Sequence, residues 1–516
     1  MRRSLAILSA AIVHGTRIKK KGTNKQTGKI QLDVSKAGLS GVNKARVNAI
    51  IEQCSKGSAF YKNEKRMEEK RKRRNTELLK KAQEYRLLPS AEKKSIIEEV
   101  DKLEQELEAG RHFGHYVHVD MDMFYAAVEM KKNPALASVP LGVGSAAMLS
   151  TTNYAARRHG VRSGMPGFVG RRLCPALVVV PPDFPAIRAE AAAVRRLAAA
   201  YDPHFTSVGL DELTMDVAAH LQATSSSGRR GGRTAADIAE EFRARVFAET
   251  QLTASAGIAP TATLAKIASN YNKPNGQHEL QLRTREEVIA FMKDLPVRKV
   301  PGIGPVQDSV LASLGIRTCG AILRQKYKLR YLFTDKTFKF YLSAGLGVAT
   351  SSADRLRMDR TQKTIGHEFT FRRKLKSDME LQKIVLNCLT EAHNTLLKRR
   401  ESAQRISLHL KRRSFENHQY NLTLEAPTND FSKLWDGTLQ LLQPHLEKFD
   451  DFRLAGVRLG KLQPLPRRQL LSKNRILPFE LDIQDQFSSS RKEKNKMKHE
   501  DASLLLLENK RVRLLV

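Results

Sequence analysis

The stretch "HYVHVDMDMFYAAVEM", His115 to Met130, opens as a β-strand, because Tyr116, Val117 and Val119 are β-formers, and it ends in two carboxylates, Asp120 and Asp122. "FYAAVEM" behind them reads as the start of a helix. A second acidic run, "FTSVGLDELTMDV" from Phe205 to Val217, sets Asp211 and Glu212 beside Gly209, where a β-hairpin can turn. If the strand ending at Asp120 lies next to that hairpin, three carboxylates converge at one edge of a sheet. Carboxylates packed together repel unless cations fill the site. Two Mg²⁺ ions about 4 Å apart would neutralise them and align an in-line phosphoryl transfer. Oxygen-only ligands, with no His or Cys nearby, favour Mg²⁺ over Zn²⁺, with Mn²⁺ as a substitute. Acidic turns at strand ends are common, so these two runs need support from the rest of the chain.

The 516 residues are too many for one core, so several domains are expected. Lys and Arg total 89 against 54 Asp and Glu, a formal net charge of +35. Such an excess calls for a polyanion, nucleic acid first and an anionic membrane surface second. No apolar run approaches the roughly 18 residues that span a bilayer, and no membrane association is expected. Cys54, Cys174, Cys319 and Cys388 lie far apart with no CxxC pair, which argues against a zinc site or disulfide framework and fits a reducing compartment. Residues 1–32 hold eight basic residues and no acid, with Arg2 and Arg3 ahead of a short apolar segment, Leu5 to Val13. That is the pattern of a mitochondrial transit peptide. A disordered basic arm or a nuclear-import patch is the alternative.

Residues 33–111 read as polar and helical. "VNKARVNAIIEQC" places Val42, Ala45, Ala49 and Ile50 at helical spacing, and "NEKRMEEKRKRRNTELLKKAQEYRLL" is a long charged helix without a strong apolar face, its "RKRR" suited to phosphates. Residues 112–292 alternate strand and helix signals, interrupted at 222–233 by a Ser/Gly/Arg surface insertion. Residues 293–355 are helical around a tight "PGIGP" turn. Residues 363–462 read β-α-β-β-α-β: strand "KTIGHEFTF", an amphipathic helix with Ser377 and Glu380 as a capping box, a hairpin, a helix over about 429–447, and strand "RLAGVRLGKL". From 463 to 516 the chain is basic and polar, with the composition of a disordered tail.

Three further segments carry chemistry. "STTNYAARRHG", from Ser150, combines Tyr154 with Arg157 and Arg158, whose guanidinium forks suit phosphate oxygens. "SNYNKPNG" presents Lys273 on a turn. "LPVRKVPGIGPVQDSVLASLGIRTCGAIL", Leu295 to Leu323, reads helix, hairpin, helix, and backbone N–H groups near Gly302 and Gly304 can hold a DNA phosphate without reading sequence.

Together with "DMDMFYAAVEMKKNP", these runs resemble the Y-family DNA polymerases, and within them the DinB/polymerase kappa branch. The resemblance runs nearly unbroken from about His112 to Leu323 and more loosely to about Leu462. The segment Lys36 to Glu64 resembles the extra N-terminal clasp of the eukaryotic kappa type. The resemblance implies an α+β multidomain right-hand polymerase: a clasp (33–111), a palm (112–133 and 184–292), fingers (134–183), a helix-hairpin-helix thumb (293–355) and a βαββαβ little finger (363–462). It implies that Asp120, Asp211 and Glu212 are the catalytic, metal-binding carboxylates, with the backbone carbonyl of Met121 as a further ligand and Asp122 structural. Tyr125 matches the steric gate against a ribose 2′-OH, and Phe124 is expected to pack on the base or sugar. Tyr154 and Arg157, assisted by Thr151, match residues that grip the triphosphate, as does Lys273 from the palm. The implied partners are primer-template DNA and dNTPs, with the chain a monomer, and the implied activity is low-fidelity translesion synthesis.

The chain departs from the family in places. Family members usually carry Ser before Leu-Asp-Glu and Ala-Tyr after it; here stand Gly209, Leu213 and Thr214. The tail has no Cys/His zinc finger, and "QLLSKNRILPF", Gln469 to Phe479, lacks the spacing of a sliding-clamp motif. A non-catalytic DNA-binding scaffold and a deoxycytidyl transferase are the competing readings.

Overall fold

The computed structural model describes residues 37–39, 41–224, 233–348, 362–371, 373–465 and 510–511. The transit-like start, most of the 222–233 insertion and nearly all of the tail beyond 465 lie outside them.

The chain enters through three helices, Lys44–Ser55 (α1), Ala59–Leu87 (α2) and Ser90–Ala109 (α3). On α1 the buried positions are Val47 and Ile51, while Ala45 and Ala49 are exposed. The apolar face is therefore turned from the expected one, toward the larger side chains that bury more area. As its composition suggests, α2 has no buried residue.

Next come strand Tyr116–Met121 (β1) and helix Phe124–Lys132 (α4). The chain then makes an excursion through Leu141–Gly144 (β2), Leu149–Thr152 (β3), Tyr154–Arg158 (α5), Gly167–Leu173 (α6) and Val178–Val180 (β4), whose strands form a small sheet in the order β3-β2-β4. It returns through Phe184–Ala199 (α7), Thr206–Val208 (β5), Glu212–Asp216 (β6), Ala218–Thr224 (α8), Ala235–Thr250 (α9), Ala254–Ala259 (β7), Ala262–Ala268 (α10) and Gln277–Glu279 (β8).

The central sheet runs β5-β6-β1-β7-β8. Side chains alternate across a strand, and β1 follows that rule. Val117, Val119 and Met121 are 0%, 1% and 4% exposed and share one core with Ile187 and Val194 of α7 and Ile238 and Phe242 of α9. His118 and Asp120 point to the other face. There α10 lies directly on β7, because a Cβ at Gly257 would sit 2.0 Å from the Ala265 carbonyl oxygen.

Five helices follow: Arg285–Asp294 (α11), Pro305–Ser313 (α12), Cys319–Arg324 (α13), Lys326–Leu332 (α14) and Asp335–Leu346 (α15). Val288 and Met292 of α11 share their core with Leu311, Ile322 and Leu342, and Val100 of α3 joins it. The expected helix immediately before the hairpin is only a 3-10 turn, Val297–Lys299. Pro296 and Pro301 flank it, and the residue before a proline avoids the helical region; Val300 is accordingly extended.

The C-terminal body is β-α-β-β-α-β as expected: Thr364–Thr370 (β9), Asp378–Lys398 (α16), Glu401–Arg412 (β10), Asn417–Thr428 (β11), Phe431–Leu442 (α17) and Phe452–Pro464 (β12). Lys510–Arg511 (β13) adds an antiparallel pair to β9, so the sheet order is β11-β10-β12-β9-β13. At 463–464 and at 510–511 the tail is thus strand rather than the disorder its composition suggested. On α16 the Ser377 hydroxyl accepts from the Glu380 N–H at 3.2 Å, but the Glu380 carboxylate turns to the Lys376 N–H at 2.8 Å and to Arg373. The capping box is therefore half made.

Candidate active site

The acidic runs meet as the sequence suggested. β1 pairs antiparallel with β6 and sets Asp120 opposite Glu212, while its other edge sets Asp120 opposite Ser255 of β7. β5 and β6 form the hairpin, with Gly209 at the turn (φ +72°). Arg195 of α7 staples it, donating from Nη2 to the Gly209 carbonyl at 2.6 Å and from Nε to Ser207 Oγ at 3.3 Å. The Met121 N–H donates to the Asp211 carbonyl at 2.8 Å, which ties the hairpin end to the end of β1.

Two ammonium groups sit among the carboxylates. Lys273 Nζ lies 2.5 Å from Asp120 Oδ1, and Lys266 Nζ of α10 lies 2.5 Å from Glu212 Oε2. The loop carrying Lys273 is held by Arg243, which donates to the Asn275 carbonyl at 2.5 Å and to the Ala254 carbonyl at 2.9 Å. The same loop gives Asp122 its role. Asp122 is 1% exposed and accepts from Ser255 Oγ at 2.7 Å and from the Asn275 N–H at 2.8 Å. It is a buried clamp between β1, β7 and the loop.

The expectation that no His or Cys lies near is corrected. His118, 3% exposed, sits two residues before Asp120 on the same face of β1. Its Nδ1 is 2.8 Å from Thr214 Oγ1, and its Nε2 is 3.6 Å from Glu212 Oε2 with no hydrogen-bond partner among the described residues. Ligand atoms of His118, Asp120 and Glu212 all lie within 4.8 Å of one another. Asp211 stands beside this group as a further charge. The signal for His118 was the period-2 alternation that also gave the core face.

The electrostatics follow from the packing. Asp211 is closely walled by protein while its carboxylate still meets solvent; that desolvation, with the charges of Asp120 and Glu212, pushes it up to about 6. Burial opposes ionisation of Glu212 too, but His118 and the Lys266 ammonium outweigh it and hold Glu212 at about 2. Burial pushes the His118 imidazole down. The set fits divalent cations: three carboxylates share one end of a sheet, and two lysines already supply positive charge at hydrogen-bond distance. Chemically, such a group of carboxylates, part of its charge already neutralised by two ammonium groups, could hold a divalent cation.

The remaining expected residues divide. Tyr125 is half-buried at the edge of the cleft, its ring 5.9 Å from Phe184 in an edge-on contact, and burial and the Asp211 charge raise its pKa. Phe124, expected against the base or sugar, is 2% exposed and belongs to the core under the sheet. Tyr154 and Arg157 lie on α5, with the Arg157 guanidinium 4.7 Å from the Tyr154 ring centroid. Thr151 is half-buried on β3 just ahead of them. Burial, and then the charge of Asp122, pushes the Tyr154 phenol up to about 12, so its hydroxyl keeps its proton. Gly304 caps the start of α12, with nothing among the described residues within 4 Å of a Cβ there, and Gly302 turns the hairpin at φ +95°.

Known proteins resemble this chain in sequence and fold. The chain matches the impB/mucB/samB family over residues 119–270, the HHH motif of that family over 285–316 and its C-terminal domain over 362–471. It is 32% identical over 504 residues to DNA polymerase kappa of Homo sapiens, covering 83% of this chain and 57% of that protein. It is 36% identical to DNA polymerase kappa of Arabidopsis thaliana, covering 86% and 64%. It is 36% identical to DNA polymerase IV of Cronobacter sakazakii, covering 69% of this chain and 98% of that protein. The chain thus spans little more than half the length of the human relative. Its fold superimposes on the Y-family DNA polymerase chimera Dbh-Dpo4(243-245)-Dbh with a TM-score of 0.59 at 22% identity, covering 68% of this chain and all of that one. The chain belongs to the Y-family DNA polymerases. Within that family it is similar to the kappa and DinB-type members.

Proposed function

We propose that this chain is a template-directed, low-fidelity DNA polymerase of the translesion type, adding deoxynucleotides to a primer 3′-OH. The observation that carries the reading is the register of β1 against β6, which brings Asp120, Asp211 and Glu212 to one sheet end under two lysines. Asp120, Asp211, Glu212 and the Met121 carbonyl are the groups that would hold two Mg²⁺ ions. Bound there, such ions supply charge neutralisation, a more acidic primer hydroxyl and a stabilised pyrophosphate leaving group.

The chain's own residues do the positioning. Lys273 and Lys266, now paired with Asp120 and Glu212, are the ammonium groups that would meet phosphate oxygens if cations took their place on the carboxylates. Tyr154 donates its neutral hydroxyl, and Arg157 its guanidinium, to the triphosphate. Tyr125, braced edge-on by Phe184, presents a ring face against which a ribose 2′-OH would clash. The hairpin at Gly302 and Gly304 and the C-terminal sheet take the roles of thumb and little finger on primer-template DNA. We also propose that the chain works as a monomer, that any sliding-clamp contact uses a motif other than Gln469 to Phe479, and that residues 1–32 direct it to mitochondria. A reporter fused to those residues tests the last point, and nuclear signal would exclude it.

Primer extension with Mg²⁺ on undamaged and lesion-bearing templates tests the central reading. Wild type should extend both, while Asp211→Asn/Glu212→Gln should lose at least about three orders of magnitude in rate with DNA binding intact. No extension by wild type would leave a DNA-binding scaffold. Insertion of dCTP alone would make the chain a deoxycytidyl transferase.

A further inference from the structure

We propose that Ala37–Leu39, the short segment ahead of α1, is a positioning element of the nucleotide site. It fixes Tyr154 and Arg157 in place, and so sets the KM for the incoming deoxynucleoside triphosphate rather than the affinity for DNA. The inference rests on the polymerase reading above.

Four contacts carry it. Arg157 donates from Nη1 to the Ala37 carbonyl at 3.1 Å and from Nε to the Thr152 carbonyl at 3.2 Å, so two fixed acceptors on separate segments set the direction of its fork. Gly38 lies so close to Tyr154 that a Cβ there would sit 2.7 Å from Tyr154 Cδ1 and 3.1 Å from Arg157 Cδ. Leu39 is 1% exposed and anchors the segment. Beyond it, Val47 and Ile51 of α1 complete the core of the excursion body with Ala156, Val161 and Val169. A Cβ at Gly160, just after α5, would meet Val47 at 2.6 Å.

The physical consequence is preorganisation. A long arginine loses rotamer freedom when it binds an anion, and a backbone carbonyl that already aims it removes part of that cost. A misplacement of about 1 Å in a group that holds a reacting substrate can cost up to about 100-fold. The N-terminal arm is therefore part of the nucleotide site although it contributes no side chain to it.

Gly38→Ala is the test, with Gly41→Ala as its control. Both glycines hold positive φ, +82° and +80°, so both alanines meet the same backbone strain. Of the two, only Gly38 has close neighbours; among the described residues nothing lies within 4 Å of a Cβ at Gly41. Single-nucleotide insertion kinetics should show KM for dNTP raised about tenfold in Gly38→Ala, with kcat and primer-template Kd within about twofold of wild type and Gly41→Ala unchanged. Leu39→Ala, which loosens the anchor without strain, should also raise KM. In a Tyr154→Ala background, Gly38→Ala should raise KM by less than it does alone, because only its contact with Arg157 remains. Equal KM in the Gly38 and Gly41 variants, an unchanged KM in Leu39→Ala, or a loss of DNA affinity in place of the KM change would each overturn the inference. Failure of wild type to insert any nucleotide would instead overturn the polymerase reading itself.

Discussion

Asp211 shows how a site can be costly to its own protein. It stands next to Asp120 and Glu212 in a walled cleft, and its carboxyl titrates near 6 as a result. A carboxyl whose pKa is raised on folding binds protons more tightly in the native state. Stability is therefore lost as pH rises from about 3.8 through about 6, and at neutral pH the ionised group works against the fold. Asp211→Asn removes that repulsion. Because the carboxylate still meets solvent, the gain is expected to be no more than about 1 kcal/mol. The measurement is thermal melting in EDTA at pH 7.5, where Asp211→Asn should melt above wild type. Adding Mg²⁺ should reverse the order, since cation binding stabilises only the chain that keeps its ligands. A lower melting point for Asp211→Asn in EDTA would mean that the carboxylates do not strain the apo fold.

At the scale of elements, α3 is held to the helical body by charge as well as by Val100. Lys326 on α14 reaches Asp101 Oδ1 at 2.9 Å and Glu104 Oε2 at 2.6 Å. Burial works against the Lys326 ammonium, but hydrogen bonds to Glu104 and Asp101 outweigh it and raise its pKa, while the Lys326 bond lowers that of Asp101. The stabilisation from Lys326 is thus fully present below about pH 10.5 and lost only as pH rises beyond it. That from Asp101 is present above about pH 3.8 and lost in stronger acid. Lys326→Met should lower the opening free energy of α3 by about 1 kcal/mol, discounted for the partly exposed partners, and equally at pH 6 and pH 9. Hydrogen exchange of α3 amides reads this directly. Such pairs mark the limit of what the sequence discloses. The strands around Asp120 and Asp211 were legible because alternation and a turn residue are local signals, and the whole βαββαβ order was legible for the same reason. Lys326 is 225 residues from Asp101, and Lys266 is 54 from Glu212, and nothing local ties either pair together. The burial of Phe124 was not legible for a different reason: an aromatic beside Tyr125 gives no sign of which of two adjacent helix positions faces the core. His118 was visible in the strand, but its meaning depended on Thr214 standing opposite it.

Across the whole molecule, charge sets the terms of binding. A net +35 draws any polyanion, and most of the resulting affinity should come from counterions released when phosphates are neutralised. Affinity for primer-template DNA should then fall steeply and log-linearly with salt, by about 0.9 log units per log unit of salt for each phosphate contacted. The long helix α2 offers a way to apportion that slope. None of its residues is fully buried, but it is tied at Arg66, paired with Glu416 of the C-terminal body at 2.5 Å, and at Leu78, packed on the helical body. Between them Arg73 and Arg74 are exposed. Helix α2 therefore spans between the two bodies proposed to hold the duplex, with two exposed arginines on the span. Arg73→Gln/Arg74→Gln should weaken binding equally for all DNA sequences and flatten the salt dependence by about two phosphate contacts, roughly 1.8 log units per log unit of salt. Fluorescence anisotropy from 50 to 300 mM NaCl on two unrelated duplexes measures both effects. A slope that stays at the wild-type value would show that α2 faces solvent rather than DNA, and would leave the contact to the hairpin and the C-terminal sheet alone.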